Sequence, residues 1–275
     1  MKKLSIMVFT GMFCVCALAS LTPLGLGIFE SGWKFSYQNP AEVYYIDKSS
    51  ISFTITPHLN GRREIVSWIS IMQPANDGSF AGVLAFNRHY YEDLGDTYSL
   101  EYYIAGGKLG LSWGMKLSTE YMTLSTATNY SLKIGFGIDG FYKSFRYGFS
   151  IEDLYLYSTN ASIYMMGKYV AGIGIFTKYL ALHFGGYSLN FDKYGGYAGI
   201  ALDLTKIAFG GRVEYLFDPS LSKGYFGYQL GAVINIDYIS IGGAYGSFAQ
   251  AVNSKIPFTD VGRRKSLMFS FNIKY

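Results

Sequence analysis

The sequence contains 275 residues with a formal net charge of +4, and only 15% of them are charged whereas 50% are hydrophobic. Soluble globular domains carry about 25% charged residues, so the composition argues against an ordinary soluble domain. The small, scattered charge also argues against a nucleic-acid-binding protein. The chain contains 26 tyrosines, 21 phenylalanines and 33 glycines. Aromatic residues suit a wall that touches lipid and glycines suit strands that bend around a lumen, so the composition is typical of a membrane β-barrel.

The N-terminus has the features of a secretory signal peptide. Two lysines precede an apolar run over residues 4–18, and residues 17–19 fit an A-x-A cleavage site. The run is short for a membrane helix of ~20 residues, so we predict a cleaved signal peptide over residues 1–19. Both cysteines, Cys14 and Cys16, lie in this segment. The mature chain is therefore predicted to contain no thiol, disulfide or thiolate metal site.

Residues 20–49 do not alternate between apolar and polar residues, and we predict that they form a plug-like segment with a short helix over about 40–46. Asn39 is a favoured N-cap, Pro40 fits the first helical position, and Glu42 stands where it can reach back to the amide of the cap residue. The apolar residues before the cap would be costly in water, which favours the lumen. The predicted plug and gate residues are Trp33, Phe35, Tyr37, Asn39, Pro40 and Glu42.

From Ser50 onwards the chain alternates between apolar and polar residues with the period of a β-strand. The clearest case is the last stretch, in which Phe269, Phe271 and Tyr275 share the apolar parity. Its aromatic end resembles the C-terminal signal of bacterial outer-membrane proteins. About fourteen strands are predicted, most of them near the ~9–11 residues that a tilted strand needs to cross the hydrocarbon. They are expected near 50–57, 64–73, 79–90, 97–105, 108–118, 129–139, 145–153, 168–176, 179–188, 195–204, 206–216, 224–236, 238–248 and 265–275.

The connectors between these strands alternate between short and long. Residues 106–107 are predicted to form a very short turn, and residues 119–128 a longer polar loop. Tight periplasmic turns and long extracellular loops are typical of outer-membrane barrels. The predicted fold is therefore all-β, a transmembrane antiparallel up-and-down barrel over residues 50–275. The predicted location is the bacterial outer membrane.

Charged residues fall on the polar parity of the predicted strands. A lysine or arginine at the lipid midplane costs roughly 2–4 kcal/mol, so this parity is expected to face the lumen, and Trp113, Phe136, Phe149 and Phe209 on the other parity are expected to face lipid. Two interpretations of the charges stay open: a salt-bridge network that stiffens the barrel, or a polar filter or gate. The charged residues predicted to line the lumen are Glu101, Lys116, Lys133, Arg146, Glu152, Asp203, Arg212 and Glu214.

The motifs of enzymes and cofactor sites are weak in this chain. Residues 135–140 match G-x-G-x-x-G, but that motif needs a helix after it and here it lies at the end of a predicted strand. The histidines His58, His89 and His183 are isolated and lack the spacing of zinc ligands. We therefore predict no catalytic residue, no metal ligand and no cofactor, and a protein that is not an enzyme.

The join between the plug-like segment and the first strand, residues 38–53, resembles the FadL-type family of outer-membrane proteins. This family includes transporters of long-chain fatty acids and aromatic hydrocarbons, and the PorV-like proteins of secretion systems. The resemblance is carried by Asn39-Pro40-Ala41, followed by the short apolar stretch 43–46 and the charged Asp47 before the first strand. It implies a fourteen-stranded barrel with an N-terminal plug in its lumen.

The resemblance also implies a function, the passive uptake of small hydrophobic or amphipathic molecules. Two alternatives stay open: a non-transporting scaffold or partner-binding barrel, as PorV-like proteins are, and a small general porin. A hydrophobic small molecule is the expected ligand of the first function. The expected surroundings are outer-membrane lipid, and the expected state is a monomer that binds no nucleic acid.

Overall fold

The computed structural model describes residues 39–46, 48–57, 64–76, 79–92, 95–108, 110–124, 127–159, 167–177, 179–189, 191–204, 206–220, 222–249 and 263–275. The predicted signal peptide over 1–19 and the predicted plug residues Trp33, Phe35 and Tyr37 lie outside the described residues. The described residues contain a short 3₁₀ helix, Pro40–Tyr45, which we call the N-terminal helix. Within these ranges no helix is long and apolar enough to cross a membrane.

The described chain forms fourteen β-strands, each paired antiparallel with its sequence neighbours, and the last strand pairs with the first to close a barrel. The predicted fold class is confirmed. The strands are β1 Ser50–Pro57, β2 Glu64–Gln73, β3 Ala81–Tyr91, β4 Gly95–Lys108, β5 Leu111–Leu124, β6 Ala127–Tyr142, β7 Phe145–Ser158, β8 Lys168–Phe176, β9 Leu180–Leu189, β10 Lys193–Asp203, β11 Ile207–Asp218, β12 Lys223–Ile236, β13 Ile239–Ala249 and β14 Arg263–Lys274.

The seam of the barrel is the pairing of β14 with β1. Phe271 lies opposite Phe53 and Ile273 opposite Ile51 in this register. The amide of Tyr275 extends the seam by donating to the carbonyl of Ser49 at 2.9 Å. Because a closed sheet has no edge, its backbone polar groups are satisfied without water, as a membrane interior requires.

Each strand has an apolar outer face and a more polar inner face. Large apolar side chains are exposed on the outside of all fourteen strands, and such a surface is stable only against lipid. The chain is therefore a transmembrane barrel, and the predicted outer-membrane location is confirmed. Trp113, Phe136, Phe149 and Phe209 belong to the exposed set. One example from each strand, in order, is Ile51, Ile69, Leu84, Leu100, Leu111, Phe136, Phe145, Ile173, Phe184, Ile200, Phe209, Leu230, Ile241 and Phe269.

Two predicted connectors are wrong. Residues 106–107 belong to β4, and the turn lies beyond Lys108, where Gly110 has a φ of 95° that favours glycine. The predicted loop over 119–128 is mostly strand, because β5 continues to Leu124 and β6 begins at Ala127. The residues beyond 118 are largely polar, which suggested a loop, but they pair across the hairpin and satisfy their backbone groups there.

Closure gives a prediction about the C-terminus. Deleting residues 271–275 removes the partners of Ile51 and Phe53 on β1 and of Ile241 on β13. We expect the truncated chain to fail to assemble, because unpaired backbone in lipid costs several kcal/mol per group. The amount of folded barrel in the membrane fraction is measured by its heat-modifiable electrophoretic mobility. Phe271→Leu, which keeps the strand and its apolar face, should assemble normally. Folded barrel in normal amounts after the deletion would contradict the closure.

Candidate functional site

The barrel lumen holds the N-terminal helix, which is anchored by its cap residue. The Asn39 side-chain oxygen accepts from the amide of Ala41 at 3.0 Å, and its Nδ2 donates to the carbonyl of Ile138 on β6 at 2.8 Å. One side chain therefore both starts the helix and attaches it to the barrel wall. Pro40, in the first turn, needs no amide partner there.

Two glycines let the helix backbone touch the wall. A Cβ atom added at Gly114 of β5 would lie 2.5 Å from the amide nitrogen of Ala41, and it would also clash with the Pro40 carbonyl group. A Cβ atom at Gly137 of β6 would lie 2.9 Å from Cγ of Asn39. Next to Gly114 on the same face of β5, Ser112 donates from Oγ to the Ala41 carbonyl at 3.2 Å. The close approach of helix and wall therefore requires glycine at position 114, and at position 137 as long as the Asn39 side chain lies over it.

The other side of the helix is apolar. Val43 is fully buried against a cluster on the inner face of β2, β3 and β4 that includes Trp68, Met72, Val83 and Tyr103. Burying a valine side chain stabilises by about 1.5–3 kcal/mol. The helix is thus held by polar contacts to β5 and β6 and by apolar packing on β2 to β4.

Arg146 of β7 joins the helix to the wall through charge. Its Nη2 donates to Glu42 Oε1 at 2.8 Å, and its Nε donates to Oδ2 of Asp139 on β6 at 2.8 Å. The guanidinium also lies near the rings of Tyr45 and Phe141, at 5.6 Å and 5.1 Å from their centroids. Glu42 therefore does not reach back to the cap amide as predicted. A buried guanidinium is a stronger partner for its carboxylate than a helix-end amide.

One guanidinium here serves two buried carboxylates. Burial raises the pKa of Glu42 to about 7; the Arg146 charge opposes the rise, and the Asp139 carboxylate adds to it. Glu42 Oε2 has no hydrogen-bond partner among the described residues, so a proton has a free oxygen to occupy. The contact between helix and wall is accordingly sensitive to pH near neutrality.

A second group of charges lies further along the same wall. Lys116 of β5 contacts Glu101 Oε1 at 3.2 Å and Asp153 Oδ1 at 3.5 Å, and Lys133 of β6 contacts Glu120 at 2.9 Å. The pairing of β6 with β7 is irregular here, and Asp153 has a φ of 54°. This bulge leaves Glu152 and Asp153 both buried, so two consecutive carboxylates serve the network.

The opposite wall, from β8 to β13, has many glycines on its inner face. Arg212 pairs with Glu214 at 3.2 Å and Lys193 with Asp218 at 2.8 Å. Apart from these pairs, the inward-facing positions of the six strands include many glycines, which add no side chain to the lumen. The glycines on this parity are Gly172, Gly174, Gly185, Gly195, Gly199, Gly210, Gly227, Gly231, Gly242 and Gly246. The lumen is therefore asymmetric, with its helix on one side and small residues on the other.

The sequence-predicted residues fall into separate groups. Asn39, Pro40 and Glu42 meet Arg146 at the helix, and Glu101 meets Lys116 on the same wall. Glu152 and Lys133 lie in the second charge group, Arg212 and Glu214 lie together on the opposite wall, and Asp203 is buried at the end of β10. Sequence reasoning missed Asp139, Glu120 and Asp153. The parity of β6 could have indicated Asp139, but nothing in the sequence marks the bulge at Asp153.

The glycine contacts predict that Gly114→Ala displaces the helix. The added methyl group must push away the backbone of Pro40 and Ala41 rather than a flexible side chain. A Val43→Cys probe, buried in the native protein, should then react faster with a water-soluble maleimide, while heat-modifiable mobility stays normal. Gly82→Ala is the matched control, because its Cβ would lie 3.6 Å from the Tyr103 carbonyl oxygen, an ordinary contact. Equal labelling in both variants would contradict the docking.

The Glu42 contact predicts tighter docking in acid. Since the pKa rises from 4.5 to about 7 on docking, the docked helix binds the proton more tightly than the undocked one. Protonation of Glu42 stabilises the docked helix fully below pH 4.5, and this stabilisation is lost as the pH rises to about 7. Each pH unit in this range lowers the docking equilibrium constant by up to roughly tenfold. Labelling of Val43→Cys, normalised to an exposed Ser79→Cys probe, should therefore be slower at pH 5 than at pH 8. Glu42→Gln should remove the difference. A pH dependence that survives Glu42→Gln would contradict this assignment.

Comparisons with known proteins give only distant likenesses. No family model matches the sequence, and no curated protein matches it either. Among solved structures, mutants of the Rhodopseudomonas blastica porin match with 7% identity and a TM-score of 0.42, covering 83% of this chain and 99% of theirs. The Acinetobacter baumannii outer membrane protein Omp33 matches with 10% identity and a TM-score of 0.49 over the same shares. At these TM-scores neither likeness says anything about what this chain binds or transports.

Proposed function

We propose that the barrel is a passive route for small amphipathic molecules across the outer membrane, and that the N-terminal helix with the residues before it is the gate. The observation that carries the proposal is the position of Asn39. It is fully buried inside the barrel and bonded to β6. A segment that ends at this buried position is well placed to fill the lumen, which is the role we propose for residues 20–38.

The inner wall of β1 and β2 supports a plug formed by residues 20–38. Ser52, Thr54, Thr56 and Ser70 are buried, and their hydroxyl oxygens have no hydrogen-bond partner among the described residues. Buried polar groups in proteins nearly always have a partner. We infer that residues 20–38, which contain serine, glutamine and four aromatic side chains, cover this wall.

The lining of the opposite wall supports an amphipathic solute. Tyr187 and Tyr197 lie on the inward parity between glycines and charged pairs, so aromatic faces and polar groups alternate along the lumen. Such a surface fits a molecule that has both an apolar body and a polar group. The FadL-type resemblance adds the hydrophobic part of the proposed substrate class. The partner-binding alternative has no comparable support.

The proposal predicts that deleting residues 20–38 raises ion conductance sharply in planar bilayers, because the plug is lost even though the N-terminal helix keeps its own contacts with the wall. Asn39→Ala should raise it less, since removing a cap costs about 0.5–2 kcal/mol. Asn76→Ala, at an exposed asparagine in the turn after β2, is the control and should change nothing. An intact protein that already conducts like an open porin, with no change on deletion, would refute the gate.

A further inference from the structure

A groove runs over the outer, lipid-facing surface of the barrel across β6 to β9. It has a volume of about 590 Å³, within the range of about 300–1,000 Å³ that ligand pockets occupy. We call it the outer groove, and the exposed side chains that define it are Ile138, Tyr147, Phe149, Ala171, Ile173 and Phe184. Because this surface faces the membrane, only a lipid or another membrane protein can enter the outer groove.

Small residues form the floor of the outer groove. Ala171 of β8 pairs with Phe149 of β7 and with Gly186 of β9, so two small residues follow each other among large ones. A Cβ atom added at Gly186 would meet just one described neighbour, a carbonyl oxygen of β10 at 3.6 Å. On the other side, the Tyr147 ring leans over Gly140 of β6, where an added Cβ atom would lie 2.6 Å from the hydroxyl oxygen of Tyr147. The strands themselves therefore shape the groove, and no loop contributes to it.

The outer groove lies on the periplasmic half of the barrel. At this end its strands are joined by short turns, 143–144 and 177–179, and short turns are periplasmic in outer-membrane barrels. Tyr147 is the third residue of β7 from this end, and Ala171 is the sixth residue of β8. A strand rises about 3.3 Å per residue, so the groove lies within roughly 17 Å of the periplasmic strand ends. It therefore faces the periplasmic leaflet of an apolar band about 25 Å tall.

The periplasmic rim beside the outer groove is positively charged. Lys108 ends β4, Lys143 lies in the turn between β6 and β7, and both are exposed. Neither lysine pairs with a carboxylate in the described part of the chain. The connector between β8 and β9 adds Lys178, and the three connectors from β4 to β9 on this rim contain no Asp or Glu. Asp139 of β6 lies in the lumen, where it pairs with Arg146. The rim therefore presents positive charge to the lipid headgroups.

Tyr142 marks the level of those headgroups. It is 67% exposed on the outer face of β6, and the Lys143 ammonium lies 5.3 Å from the centroid of its ring. Tyrosines are enriched at the boundary between membrane and water, and lysines there extend their charged heads towards the polar layer. A lipid with an acyl chain in the outer groove would therefore bring its phosphate to the level of Lys143 and Lys108.

We propose that the outer groove and the lysines beside it bind an anionic phospholipid, with an acyl chain in the groove and the phosphate at Lys143 and Lys108. The groove supplies apolar contact and the lysines supply charge complementarity. A second copy of the chain is a poorer occupant, because a twofold contact between identical faces would bring the lysines of both copies together. The site lies outside the lumen, so it does not depend on the proposed gate.

Native mass spectrometry of the purified barrel tests the site, with equimolar phosphatidylglycerol and phosphatidylcholine of the same acyl chains added in detergent. We expect the barrel to retain phosphatidylglycerol in preference. The double variant Lys108→Gln/Lys143→Gln should lower this retention by about fivefold for each lysine replaced. Ala171→Leu, which fills the floor of the groove, should lower the retention of both lipids. The matched controls are Lys223→Gln, at an exposed lysine that begins β12 at the opposite end of the barrel, and Ala232→Leu, on the outward parity of β12. Neither control should change retention.

Two results would overturn the site: equal retention of the two lipids, or retention of phosphatidylglycerol that both the lysine variant and Ala171→Leu leave unchanged. A dimer that Ala171→Leu dissociates would also overturn it, because a second copy would then occupy the groove. Heat-modifiable mobility checks the fold of each variant. If Ala171→Leu fails to fold, the double lysine variant decides the outcome. The experiment measures no conductance, so its result is independent of the gate proposal.

Discussion

The pairing of β14 with β1 is the constraint on which the rest of the structure depends. Lipid offers no partner to a backbone amide or carbonyl, so the sheet must close on itself. Closure then fixes which parity of each strand faces inward. A slip of one residue in β5 would move Lys116 into lipid and turn Gly114 away from the helix. The ion pairs, the glycine contacts and the apolar exterior therefore all follow from one register.

Within that register the lumen is built asymmetrically. Three contacts hold the N-terminal helix. The Asn39 side chain donates a hydrogen bond to β6, Val43 packs in the apolar cluster, and Glu42 forms an ion pair with Arg146. The apolar packing supplies stability without regard to pH, whereas the shared guanidinium makes the attachment responsive to protons. The wall from β8 to β13 carries ten glycines on its inward parity, together with Arg212 and Tyr197. The gate and the solute path that we propose would therefore lie on different walls of one barrel.

The sequence predicted the strands well because each one separates lipid from lumen, and that contrast produces strong alternation. The bounds of β1, β2 and β8 coincide with the prediction. Prediction failed where the contrast ends. Residues 119–124 at the end of β5 do not alternate between apolar and polar, so they resembled a loop. The partner of Glu42 lies 104 residues away, and a local capping rule could not find it. His183 looked isolated because only strand register brings Arg212 beside it.

Disulfide formation in the double variant Asn39→Cys/Gly137→Cys tests most directly whether the helix is held against β6. In a disulfide each sulfur lies about 3 Å from the partner's Cβ, and Cγ of Asn39 lies 2.9 Å from the Cβ position of Gly137. We expect near-complete cross-linking in the folded barrel. The pair Asn39→Cys/Gly242→Cys, which places the second thiol on β13, should remain reduced. A folded barrel in which the first pair stays reduced, or in which both pairs cross-link equally, would contradict the position of the helix.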